Sequence, residues 1–116
     1  MIRTVFTGLI PSDSVETETE FIVENNYPNP MVRGYQNTTI GYSIPEEGEI
    51  KLLIYNSLGQ KVAQKNTNTI NKGQITWNVL GDNGTLAAGI YFYQIQFRGN
   101  SSGKILKSGF KKMILL

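Results

Sequence analysis

Apolar and polar residues alternate along much of the chain after residue 36, in runs too short to bury a helical stripe. In NTTIGYSI (37–44) the positions Thr38, Ile40, Tyr42 and Ile44 share one face, the period-two signature of a half-buried strand. EIKLLIYN (49–56) places Ile50, Leu52 and Ile54 on one face and Lys51, Leu53 and Tyr55 on the other, so its second face is not fully polar. QITWNV (74–79) sets Ile75, Trp77 and Val79 together. Behind Gly89, GIYFYQIQF (89–97) aligns Tyr91, Tyr93, Ile95 and Phe97, while Ile90 and Phe92 give way to Gln94 and Gln96 opposite. That run predicts the central strand of a sheet.

Turn chemistry separates these runs at PEEGE (45–49), SLG (57–59), NKG (71–73), GDNG (81–84) and GNSSG (99–103), with Gly59 suited to positive φ. FIVEN (21–25) adds a strand before a pair of prolines, and QKVAQKN (60–66) predicts a lysine-bearing edge strand. In KILKSGFKKMILL (104–116) no single parity puts all apolar residues inward, which predicts a bulge at Gly109. The sum is seven strands and no helix, an all-β, antiparallel, immunoglobulin-like β-sandwich. Leu53, Tyr55, Phe92, Ile114 and Leu116 fall on the second face, where together they would form an exposed apolar patch suited to a protein partner.

At 116 residues the chain is one domain long, but its charge is uneven. Up to Pro30, Arg3 stands against Asp13, Glu16, Glu18, Glu20 and Glu24, net −4, which leaves +6 for the remainder of a chain whose total is +2. PSDSVETETE (11–20) has no periodicity able to bury anything. Residues 1–20 are therefore expected to be a leader and acidic linker from an upstream domain, and 21–116 the folded domain. The opening MIRTVFTGLI lacks the features of a secretory signal, and no apolar run reaches membrane-spanning length. The expectation is a soluble piece of a longer protein with no transmembrane segment.

Cysteine and histidine are both absent, which removes thiolate and Ser-His-Asp nucleophiles, His- or Cys-ligated metals and the usual neutral-pH acid/base. No catalytic residue, metal site or cofactor is assigned, and the protein is not expected to be an enzyme. Glu46, Glu47 and Glu49 surround Gly48 as solvated turn acids, and Asp82-Asn83-Gly84 has turn composition without the ligand count of a calcium loop. Asn37-Thr38-Thr39, Asn83-Gly84-Thr85 and Asn100-Ser101-Ser102 fit a glycosylation pattern too short to weigh. Arg98, Lys104, Lys107, Lys111 and Lys112 collect near the C-terminus, and a solvated strand face accounts for them better than an anionic partner; no nucleic-acid partner is assigned. Tyr27, Tyr35, Tyr42, Tyr55, Tyr91, Tyr93 and Trp77 fall mostly at inward parity, favouring core over a sugar-stacking row.

Four separated segments, FIVENNYPNP, TTIGYSIPEEGEIKLLIYNSLGQKV, ITWNVLGDNGTLAAGIYFYQI and KKMILL, occur in an order that resembles the C-terminal sorting domain of type IX secretion substrates, itself related to the immunoglobulin-like domain of flagellar hook-capping proteins. The resemblance covers about residues 21–116. It matches Tyr27, Pro28, Asn29 and Pro30 to the opening motif, and Ile54, Tyr55, Asn56, Leu58, Gly59 and Gln60 to the middle one. Gly89, Ile90, Tyr91, Phe92 and Tyr93 match the third, Trp77 joins the family's core positions, and Lys111, Lys112, Met113, Ile114, Leu115 and Leu116 match the sorting-signal strand. MVRGYQN after Pro30 replaces the shorter continuation usual in the family, and Asp13-Ser14-Val15 is similar to the three-residue O-glycosylation site used by the Bacteroidota and related bacteria in which that family occurs.

The resemblance implies a non-catalytic module that carries an attached upstream cargo domain through the type IX outer-membrane translocon, with shuttle and sortase proteins as further partners. It implies periplasmic transit, then the cell surface or the extracellular space, with removal of the domain and surface attachment of the cargo. The last strand would offer its main-chain edge, Lys111, Lys112 and its apolar side chains for strand addition. The prolines of NNYPNP lack N–H donors and push the preceding residues toward extended conformations, a stiff boundary that places cleavage upstream, within residues 12–25. The alternatives are a structural interaction module that stays attached to its neighbour and a carbohydrate-binding module of a multidomain secreted protein.

Overall fold

A computed structural model describes residues 21–32, 37–70, 72–81 and 84–116. The acidic linker, Asp13-Ser14-Val15, Tyr35, Asp82 and Asn83 lie outside the described residues. In chain order the strands are β1 (Ile22–Val23), β2 (Thr38–Ser43), β3 (Gly48–Asn56), β4 (Lys61–Thr69), β5 (Lys72–Trp77), β6 (Leu80–Gly81), β7 (Gly84–Thr85), β8 (Gly89–Gly99), β9 (Ile105–Lys107) and β10 (Lys111–Leu115). All ladders between them are antiparallel.

The larger sheet runs β9-β8-β3-β4, with β10 also on β8; the smaller runs β1-β2-β5, and β6 pairs only with β7. Strand β8 is central, as its alternation predicts. Strand β3 takes one of its sides from Tyr91 to Gly99. On the other, β9 takes residues 96–98 and β10 takes residues 89–93. Strand β4 is the lysine-bearing edge.

The inward parities read from the sequence form the core. Ile40, Tyr42 and Ile44 on one sheet, and Ile50, Leu52, Ile54, Tyr91, Tyr93, Ile95 and Phe97 on the other, are all buried in one cluster with Ile75, Trp77 and Val79. Small residues let the layers close. Ala63 sits opposite Ile54, and Gly48 is buried where a Cβ would lie 2.6 Å from the Phe97 ring and closer still to the Arg98 carbonyl.

Among the described residues ten segments stand where the alternation predicts seven strands. Two of the extra ones are the Leu80–Gly81 and Gly84–Thr85 arms of the GDNG hairpin, too short to carry a period. The third arises because the last run breaks at Ser108-Gly109-Phe110, at the bulge its mixed parity predicts. There Ser108 N–H donates to the Ile95 carbonyl at 2.9 Å while its hydroxyl accepts from Ile95 N–H at 3.0 Å, so the interruption stays stitched to β8. Lys72 and Gly73, expected in a turn, already belong to β5, where they pair with Ser43 and Tyr42. Val79 takes φ 64°, a left-handed backbone unusual for a β-branched residue, and the Trp77 indole N–H holds that corner by donating to the Leu80 carbonyl at 3.0 Å.

Candidate functional site

Most motif residues are architectural, each for a visible reason. Asn56 builds the SLG turn: its Oδ1 accepts from the N–H of Leu58 at 2.9 Å and of Gln60 at 3.0 Å, and its Nδ2 donates to Gln60 Oε1 at 2.8 Å. Gly59 completes that turn at φ 84°. Tyr91, buried in the core, donates from its hydroxyl to the Ala87 carbonyl at 2.6 Å and fixes the approach to β8 just before Gly89. Tyr93 is fully buried; its hydroxyl accepts from Asn26 N–H at 2.9 Å and donates to the Glu24 carbonyl at 3.1 Å. Burial pushes the Tyr93 phenol up from its ordinary value, opposed by the Asn26 N–H.

The opening motif and the final strand, far apart in sequence, meet in space. The peptide bonds Tyr27-Pro28 and Asn29-Pro30 are both cis. Tyr27 pairs main chain to main chain with Thr39, leaving its ring 80% exposed. Asn26, which the sequence placed in the stiff NNYPNP entry with no bonding role of its own, is buried: its Nδ2 donates to Thr38 Oγ1 at 3.0 Å and to the Pro28 carbonyl at 3.3 Å. Only its place beside Tyr27 hinted at that duty. Asn29 then reaches across to β10, where its Nδ2 donates to the Lys112 carbonyl at 3.2 Å and its Oδ1 accepts from Ile114 N–H at 2.9 Å. Met31, fully buried, continues the contact: its N–H donates to the Ile114 carbonyl at 3.0 Å and its carbonyl accepts from Leu116 N–H at 2.8 Å.

This corrects one expectation. From the Lys112 carbonyl onward the main-chain edge of β10 is not on offer, because Asn29 stands in for one peptide unit and Met31 supplies the next, in a parallel bridge to Leu115. The strand's side chains also divide between two faces. Met113 and Leu115 are core, and Lys111 lies at the inner rim with its Nζ 3.3 Å from Asn25 Oδ1. Lys112 and Ile114 stand on the outer face, opposite Phe92 and Ile90. Leu116 follows, exposed.

The outer face also carries the apolar patch read from the sequence, with a changed membership. Leu53 is buried beneath it, Tyr55, Phe92 and Ile114 are half-buried, and Ile90 and Phe110 join as exposed members. Phe110 meets Tyr55 edge to face, centroids 5.6 Å apart at 77°, an arrangement available only because the bulge swings it over the sheet. Parity could not place a bulge residue. Tyr42, Tyr91, Tyr93 and Trp77 are core, which leaves no row of them for sugar stacking.

The basic residues are likewise dispersed: Arg98 and Lys107 lie on the strands β8 and β9, Lys104 in the turn between them. Arg98 makes a 3.8 Å ion pair with Glu49. Of the turn acids, Glu46 accepts from the Ser102 hydroxyl and from the N–H groups of Ser101 and Ser102, both at 3.2 Å. The Ser102 hydroxyl first, with those N–H groups and Lys104, holds the Glu46 carboxyl below its ordinary value against an opposing effect of desolvation second only to that hydroxyl. Among the described residues no group of three His, Cys, Asp or Glu is placed to hold a metal ion. No helix among them is long and apolar enough to cross a membrane.

Comparison with known proteins follows the same outline. No curated protein matches the chain. Among solved structures, the crystal structure of dimeric latent PorU from Porphyromonas gingivalis is similar in fold, with a TM-score of 0.71 at 21% identity over 92% of this chain. The chain spans only 10% of the length of that protein. Residues 25–108 match the family described as the secretion system C-terminal sorting domain, a stretch that ends just before β10. With that match over well over half its length, the chain belongs to the secretion system C-terminal sorting domains, the family that supplies the sorting signal of type IX secretion cargo.

Proposed function

We propose that this domain works as a non-catalytic address: it carries an attached upstream cargo through the type IX outer-membrane translocon, and β10 is the part that is read. Residues 1–20 link it to the cargo, and residues 21–116 form the sorting module. Its partners are the translocon, a shuttle protein and a sortase. The route runs through the periplasm to the cell surface or beyond, with the domain removed by a cut on the N-terminal side of the opening motif, within residues 12–25.

The observation that carries this reading is the union of the family's two end motifs. Asn29 and Met31 bind Lys112, Ile114 and Leu116 and hold the signal strand in one conformation on a folded sandwich, which suits an address that must be legible whatever cargo precedes it. The test fuses the 116-residue chain to the C-terminus of a reporter in a type IX-competent bacterium. Export to the medium or surface is expected. Retention of the fusion in the periplasm, while an authentic sorting domain exports the same reporter, would overturn the reading.

A further inference from the structure

The sorting reading leaves open which atoms of the final strand a partner touches. From the Lys112 carbonyl to the Leu116 N–H, the outer edge of β10 is bonded within the chain, first to the Asn29 amide and then to Met31. Past the Lys112 N–H, an incoming strand would have to displace the Asn29 amide and a fully buried methionine to pair with the rest of that edge. The outer face is different. Lys112, Phe92 and Tyr55 form one cross-strand row, Ile114 and Ile90 the next, and Phe110 stands against Tyr55. Ile90 is 46% and Phe110 62% exposed.

Charge on this sheet is one-sided. Of its seven strand cations, Lys111 turns to the inner rim and Lys65 reaches the Thr76 carbonyl, which leaves Lys51, Lys61, Arg98, Lys107 and Lys112 at outer-face positions against a single acid, Glu49, which already faces Arg98. Lysines next to exposed isoleucine and phenylalanine call for carboxylates next to apolar side chains. A polyanionic glycan supplies the charge but nothing to cover the isoleucines.

We infer that the final strand is recognised across its outer face rather than by strand addition, and that the partner is a protein surface with carboxylates around an apolar patch that seats Ile90, Ile114 and Phe110 beside Lys112. This rests on the sorting reading, and the experiment separates the two. Lys112→Glu and Phe110→Ser change exposed side chains and none of the bonds that close the edge. In the full-chain reporter fusion each is expected to lower the exported fraction at least about tenfold while the domain keeps a cooperative unfolding transition, with the melting temperature of Lys112→Glu unchanged, and Lys72→Glu on the smaller sheet exports like the parent.

Export of both outer-face variants at the parental level overturns the inference and leaves the sorting reading standing. A parent fusion that is itself not exported removes the sorting reading. Binding of the purified chain to vesicles of anionic phospholipid, abolished by the same two substitutions, overturns the inference in favour of a membrane surface.

Discussion

Replacing Asn29 by alanine removes the two side-chain bonds that stand in for a peptide unit along β10, the 3.2 Å bond to the Lys112 carbonyl and the 2.9 Å bond from Ile114 N–H. A hydrogen bond contributes about 0.5–1.5 kcal/mol net. Both of these are exposed, so water replaces part of each, and the joint loss is expected at about 1–2 kcal/mol. The loss is local, because Met31 still holds the Ile114 carbonyl and the Leu116 N–H from its buried position. Native-state hydrogen exchange reads it directly: protection of the Ile114 amide should fall about 5- to 30-fold, while amides in the β3–β8 ladder stay within about twofold. Asn29→Asp keeps the acceptor for Ile114 but loses the donor to Lys112, and should give a smaller fall. Unchanged Ile114 protection in the alanine variant, or equal loss throughout β3 and β8, would refute the claim that Asn29 closes the strand edge.

Three further outcomes follow from the packing and electrostatics. Gly48→Ala should cost about 1–3 kcal/mol or more, read as a lower urea midpoint, because the new methyl group meets the Arg98 carbonyl and the Phe97 ring and neither can retreat. Tyr93→Phe leaves Asn26 N–H and the Glu24 carbonyl without their hydroxyl partner and should cost about 1–3 kcal/mol at constant denaturant slope. Glu46 has a folded-state value held below the ordinary 4.5, so its contribution to stability is present above 4.5 and lost as pH falls through the lowered folded value. Melting temperatures across that acid range should fall more steeply for the parent than for Glu46→Gln; parallel curves would contradict the assignment.

Much of the sandwich was legible because its central strands obey one simple period. Ile50, Leu52 and Ile54 against Tyr93, Ile95 and Phe97 need only side-chain alternation to find their face, and the structure buries all six. The opening and closing segments followed other rules. Asn29 acts through a side chain that imitates main chain, and Met31 forms the only parallel bridge outside the named strands among the described residues; neither leaves a periodic trace. Tyr27 stands in the sequence among aromatics of mostly inward parity, yet it is exposed, because its main chain does the pairing with Thr39. The outer apolar patch was half legible. Tyr55, Phe92 and Ile114 follow from parity, whereas Phe110 belongs to a bulge, where parity has no meaning.

On the proposed route, where the domain is cut from its cargo, the cover over the final strand has a consequence for the piece released. A bare sheet edge invites copies of itself to stack on it, and a discarded domain with an open edge would seed aggregates. Any cut upstream of Asn25 leaves Asn29 and Met31 on the released piece, still bonded to Lys112, Ile114 and Leu116. The severed domain would therefore keep its final strand closed by the residues that marked its beginning.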